Sequence, residues 1–130
     1  MASIHREVSL AVPPAEVWDA VRDIGALHTR LVPGFVTDTK LEPGARIVTF
    51  ANGMVARELI VGLDESARRL AWAAVGTAMT HYNASFQVLD DGNGGTRGVW
   101  IADVLPDELA PMVAGMMEQG LAAMKRAFQR

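Results

Sequence analysis

Residues Pro106 to Phe128 read PDELAPMVAGMMEQGLAAMKRAF. Asp107 and Glu108 stand near the start and Lys125 and Arg126 near the end, the charge order that favours a helix dipole. Met112, Val113, Met116, Met117, Gly120, Leu121 and Met124 recur at steps of three and four. That spacing predicts one broad apolar stripe on a helix of about six turns. Four of the chain's seven methionines lie on it, and methionine is flexible enough to fill irregular space. Gly120 in mid-helix costs about 1 kcal/mol relative to alanine, so room beside it is the expected reason for its presence. The stripe fits either a packed core helix or one wall of an apolar cavity. What it packs against decides between them.

The preceding segments supply that partner. Ser3 to Val12 alternates Ile4, Arg6, Val8, Leu10 and Val12 against His5, Glu7 and Ser9, which predicts a strand. Pro13-Pro14 ends it, and a short helix follows with Val17, Trp18, Val21 and Ile24 on one side and Gly25 as its stop. Ala26 to Leu31 is expected to form further turns before Val32-Pro33-Gly34. Strands are then predicted at Phe35 to Leu41, Arg46 to Phe50, Met54 to Leu63, Arg69 to Val75, Met79 to Leu89 and Thr96 to Val104. Asn52-Gly53 is a two-residue hairpin signal. Gly92-Asn93-Gly94-Gly95 leads into a strand and so reads as a turn, not as a phosphate cradle. Strands gathered together with helices segregated predict an α+β fold. Its expected form is a seven-stranded antiparallel curved sheet, with two short helices between the first two strands and the long C-terminal helix covering its concave face.

Bulk properties narrow the function. A chain of 130 residues is expected to form one domain, residues 1–130, with a sizeable core. There are 12 basic and 15 acidic residues and no basic block, so nucleic acid is not an expected partner. The absence of cysteine removes disulfides, thiol catalysis and cysteine metal sites. His5, His28 and His81 lie on separate elements, so neither a metal nor another cofactor is expected. MASIHREVSL has no apolar signal core and no apolar run reaches spanning length, which sets the expectation of a cytoplasmic protein without a membrane span.

The stretches Ala11-Val12-Pro13-Pro14-Ala15-Glu16-Val17-Trp18, Asn52-Gly53, Leu63 to Leu70, His81 to Val88, Gly95 to Trp100 and the terminal helix together resemble the helix-grip superfamily. This group, also called SRPBCC, includes START lipid-transfer domains, birch-pollen-allergen-like proteins and bacterial polyketide cyclase/dehydrase-like proteins. Many bacterial members carry a tryptophan before the proline of the second helix. This chain has Thr29-Arg30-Leu31-Val32-Pro33, so no role is carried to that segment. The resemblance implies a ligand cavity between sheet and helix. It also implies, with period-two alternation in agreement, that Tyr82, Ala84, Phe86 and Val88 face inward on their strand. Glu58 and Ile60 are expected inward on theirs, Leu70, Trp72 and Ala74 on the next, and Val99 and Ile101 on the last, with Trp100 outward.

The leading expectation is binding of a hydrophobic small molecule of lipid, polyketide or aromatic type. Its expected wall is Glu58, Ile60, Trp72, Tyr82, Ala84, Phe86, Met112, Met116 and Gly120. An inward Glu58 would be a buried carboxylate needing a partner or a raised pKa, and Arg46 on the preceding strand is the candidate partner. The rival expectation is a cyclase- or dehydratase-type enzyme in which Glu58, Tyr82 or His28 moves protons around a carbonyl. A third is an interaction module with a filled cavity, where an outward Trp100 would suit a homodimer surface.

Overall fold

The computed structural model describes residues 1–129. Strand β1 (Ala2–Leu10) is followed by helix α1 (Pro14–Arg22), a short 3-10 turn (Ile24–Ala26) and a π-helical turn (Leu27–Leu31). Six strands come next: β2 (Val36–Glu42), β3 (Ala45–Phe50), β4 (Val55–Asp64), β5 (Arg69–Val75), β6 (His81–Asp90) and β7 (Thr96–Leu105). A 3-10 turn (Asp107–Leu109) leads into helix α2 (Ala110–Ala127). The sheet order is β1-β7-β6-β5-β4-β3-β2, with every pair antiparallel. From β2 onward, consecutive strands are neighbours in the sheet, and β1 closes against β7 at the far end. This is the helix-grip arrangement, a curved sheet with a long C-terminal helix against it.

Burial follows the pleat. On β1 the inner residues Ile4, Val8 and Leu10 are buried, and on β6 so are Ala84, Phe86 and Val88. On α2 the buried residues are Val113, Met117, Gly120, Leu121, Ala123 and Met124; five of them belong to the predicted apolar stripe, whose other members Met116 and Met112 are half-buried and exposed. Each large side chain among the buried ones contributes about 1.5–3 kcal/mol by leaving water. α2 packs chiefly on β1, with a smaller contact on β7.

Four local expectations are corrected. Helix α1 ends at Arg22, and Gly25 lies inside the following 3-10 turn instead of capping the helix. Its missing side chain admits Leu41, whose Cδ1 would lie 2.9 Å from an added Cβ. The Asn52-Gly53 hairpin is wider than two residues, because β3 ends at Phe50 and β4 begins at Val55. Asn52 Oδ1 accepts from the Met54 amide at 3.0 Å, and Gly53 takes φ +90°. Asparagine here stabilises a longer turn through its own side chain. Helix α2 starts at Ala110, after a turn of 3-10 helix, instead of at Pro106.

The fourth correction concerns β7. Thr96, Gly98, Ala102 and Val104 are buried, and Trp100 packs against the core on the same face. Val99 and Ile101 therefore lie on the other face, the reverse of the expectation. The middle of the strand, Val99 to Ala102, is apolar on both faces, and the polar marks of the outer face are Arg97 and Asp103, which share it with Val99 and Ile101. An inward Trp100 also removes the argument for a homodimer surface.

Candidate functional site

Between α2 and the strands β3 to β6 lies a cavity of about 100 Å³. Side chains do not fill this space. A site for one water needs about 10–15 Å³, and drug-sized pockets occupy about 300–1,000 Å³. The space therefore suits a compact molecule. Its wall is almost wholly apolar. Met54, Met79, Met112, Met116, Met117 and Met124 all border it, leaving only Met1 of the chain's methionines outside. Aromatic rings form much of the rest. Phe35 and Phe50 stack edge to face at 5.4 Å, and the Trp100 ring stands 6.2 Å from Trp72 and 6.5 Å from Phe86. Leu27, Leu31 and Val32, from the π-helical turn and its end, complete the wall beside α1.

The polar groups of the wall are few and close to one another. Register pairs Arg46 on β3 directly with Glu58 on β4. Arg46 Nε donates to Glu58 Oε1 at 2.9 Å, with both side chains buried. Arg46 Nη1 also donates to the Ile24 carbonyl at 3.3 Å, and the guanidinium carbon lies 5.7 Å from the Trp72 ring centroid. Burial raises the Glu58 carboxyl above its ordinary value, and the Arg46 charge only partly offsets it. Burial also raises the Tyr82 phenol well above its ordinary value. The Glu58 charge adds to that rise, while the Trp100 N–H and Arg46 act against it. Tyr82 is thus a neutral hydroxyl within electrostatic reach of all three groups, able to donate or accept.

The nine residues expected in the wall and His28 divide clearly. Glu58, Trp72, Tyr82, Phe86, Met112 and Met116 border the cavity together. Ile60 and Ala84 do not. Ile60 packs against the core cluster opposite Trp72, and Ala84 sits between Trp72 and Ala102 in the sheet register. Gly120 does not line the space either. An added Cβ there would come within 2.9 Å of the Trp100 ring and 3.2 Å of Phe35, so those rings occupy the room it leaves. His28 is outside the cavity wall, its Nδ1 hydrogen-bonded with Thr39 Oγ1 at 3.1 Å on β2. The sequence reading missed Trp100, Phe35, Phe50 and the methionines outside α2. The signal available for the last was the near-total concentration of methionine in segments bordering one space.

Trp18 lies outside the site. Its Nε1 donates to Glu65 Oε1 at 2.8 Å, and Arg22 Nε donates to the same carboxylate at 3.0 Å, tying α1 to the turn between β4 and β5. Among the described residues no group of His, Asp and Glu gathers as a metal site, and no helix is long and apolar enough to cross a membrane.

Comparison with known proteins agrees with this architecture. A solved structure from Bacillus thuringiensis superposes with a TM-score of 0.88 at 19% identity, covering 99% of this chain and 100% of the other. A Thermobifida fusca protein, 28% identical, gives 0.78 over 98% of this chain and 91% of its own. A START superfamily protein from Mycobacterium smegmatis, 15% identical, gives 0.72 over 96% and 92%. No curated protein matches the sequence. The family described as polyketide cyclase / dehydrase and lipid transport matches residues 1–129, the whole of the described chain. With its curved sheet, gripped helix and intervening cavity, this protein belongs to that family, and its fold is similar to that of the START superfamily protein.

Proposed function

We propose that this protein binds a compact hydrophobic small molecule, of aromatic or polyketide type, in the cavity between α2 and the sheet. The observation that carries the reading is the wall itself. Six methionines and several aromatic rings surround a small space whose ion pair is already internally matched. Specific small-molecule pockets are apolar with a few placed polar groups, and methionine adapts its shape to the occupant. The size favours one or two rings over a long acyl chain. Proton transfer by Glu58 and Tyr82 loses its third candidate in His28, which bonds Thr39 instead.

Tryptophan fluorescence tests this. Trp72 borders the cavity, and Trp18 is held by Glu65 outside it. Titration with one- and two-ring aromatic compounds should give a saturable response that survives Trp18→Phe, is reduced in Trp72→Phe, and is lost when Trp100, which also borders the cavity, is replaced as well. Absence of a response to any such compound, or a response that disappears with Trp18, overturns the reading.

A further inference from the structure

Among the described residues, one buried side-chain polar atom has no hydrogen-bond partner, Nε1 of Trp100. Tryptophan offers only a donor there, and a buried donor left unpaired carries its full desolvation penalty. Trp100 borders the cavity. The outer edge of its six-membered ring abuts α2 at Gly120, and Trp72 and Phe86 flank it. The ring is therefore wedged and not free to turn toward a distant acceptor.

The surrounding groups define what could satisfy it. The Trp100 N–H faces the Tyr82 hydroxyl closely enough to oppose the rise in its pKa, but without the geometry of a formed hydrogen bond, and Glu58 is also within electrostatic reach of Tyr82. Arg46 is engaged by Glu58 and by the Ile24 carbonyl. Its charge is thus matched within the protein, and an anionic ligand would meet the Glu58 carboxylate without a free cation to offset it. A neutral oxygen has no such conflict.

We infer that this end of the cavity is an oxygen-recognition subsite in which Trp100 Nε1–H, with the Tyr82 hydroxyl beside it, receives the neutral carbonyl oxygen of a compact ring-bearing ligand. The inference rests on the cavity-binding reading above and adds the ligand's polar handle. Two features work together: apolar rings and methionines give affinity, and the single unpaired donor discriminates among molecules of one shape. A site built around a buried donor rejects an isostere that cannot accept from it.

The test uses acetophenone and α-methylstyrene, which differ by C=O against C=CH2, with benzoate as the anionic counterpart. Binding is followed by NMR on the 15N-labelled protein. Acetophenone should bind about tenfold more tightly than α-methylstyrene, and benzoate should bind more weakly than acetophenone. The Trp100 indole N–H resonance should move downfield with acetophenone and not with α-methylstyrene, while Trp18, already bonded to Glu65, serves as the unaffected reference. Trp100→Phe, checked for folding by thermal melting, should lose most of the preference for acetophenone, keeping only what the Tyr82 hydroxyl supplies. The resonance shift in the unaltered protein stands independently of how well that variant folds. Equal affinity for acetophenone and α-methylstyrene with no Trp100 shift overturns the subsite and leaves the cavity reading intact. Benzoate binding as tightly as acetophenone overturns the neutral-oxygen preference, and binding of none of the three overturns both readings.

Discussion

Helix α2 meets the two sides of the sheet differently. On the β1 and β7 side it lies directly against the strands, over the small and medium residues Ile4, Val8, Leu10, Ala102 and Val104. Over β3 to β6 it stands off, and the wall there carries the large side chains Arg46, Phe50, Trp72, Tyr82 and Phe86 beside the small Ala56 and Ala74. The bulky side chains act as struts, because rings and a paired guanidinium cannot collapse to fill the space beneath a helix anchored elsewhere. One side of the molecule is a packed core and the other is a cavity. A single continuous stripe of α2 serves both.

The ion pairs sharpen this contrast most. Arg46→Met would leave the Glu58 carboxylate buried and unpaired in the cavity wall, and should cost about 3–5 kcal/mol of stability by urea unfolding. On the packed side, Arg97 pairs with Glu7 on the exposed outer face. Its removal should change stability little, since solvent screens that pair. Equal losses at the two sites would mean that the cavity wall is wet and no different from the surface.

Volume tests come next in size. Gly120→Leu would drive side-chain atoms into Trp100 and Phe35 and should cost about 1–3 kcal/mol. Met116→Trp, one turn earlier on the same helix, should cost less because the cavity takes up the added volume, and it should abolish ligand binding. Urea unfolding and the fluorescence titration read both effects. A larger loss at Met116 than at Gly120 would mean that the helix is close-packed along its whole length.

The smallest expected effect is a pH dependence at Glu58. Burial raises its folded-state pKa above the ordinary value, with Arg46 only partly opposing. A carboxyl raised in the folded state contributes stability that is full below its unfolded pKa and is lost as pH rises through the folded value. Glu58→Gln removes that loss, while its amide oxygen still accepts from Arg46 and the Ile24 carbonyl and Trp72 ring remain. The variant should therefore gain stability relative to the parent as pH rises from acid to neutral, by less than either effect above. Unfolding free energies at the two pH values check this. A loss at neutral pH would show that the Arg46 attraction outweighs the burial of Glu58.

The fold and much of the facing were legible in the residues. Turn chemistry and alternation located every strand within two residues, and the apolar spacing of Met112 to Met124 predicted the long helix. Arg46 was a candidate partner for an inward Glu58 because it lies on the preceding strand, and the sheet register places the two opposite each other. The facing of β7 was misjudged because Val99 to Ala102 are apolar on both faces; Arg97 and Asp103, two residues before Val99 and two after Ile101, carry the polar signal that marks the outside. Alternation could not separate Glu58 from Ile60, or Phe86 from Ala84. Each pair shares a face, yet only one member of each borders the cavity.

That division belongs to tertiary structure. A period of two or of 3.6 assigns a side chain to a face, because it is a property of the local backbone. Whether the face meets a packed neighbour or an open space depends on where a distant helix comes to rest. Here that resting place is set by small residues on β1 and β7, the large ones among those of β3 to β6, and the wedge of Trp100 against Gly120. The chain by itself determined the sheet, the helix and the inward carboxylate. Only the packing of one against the other decided which residues enclose the cavity, and left one indole N–H in its wall without a partner.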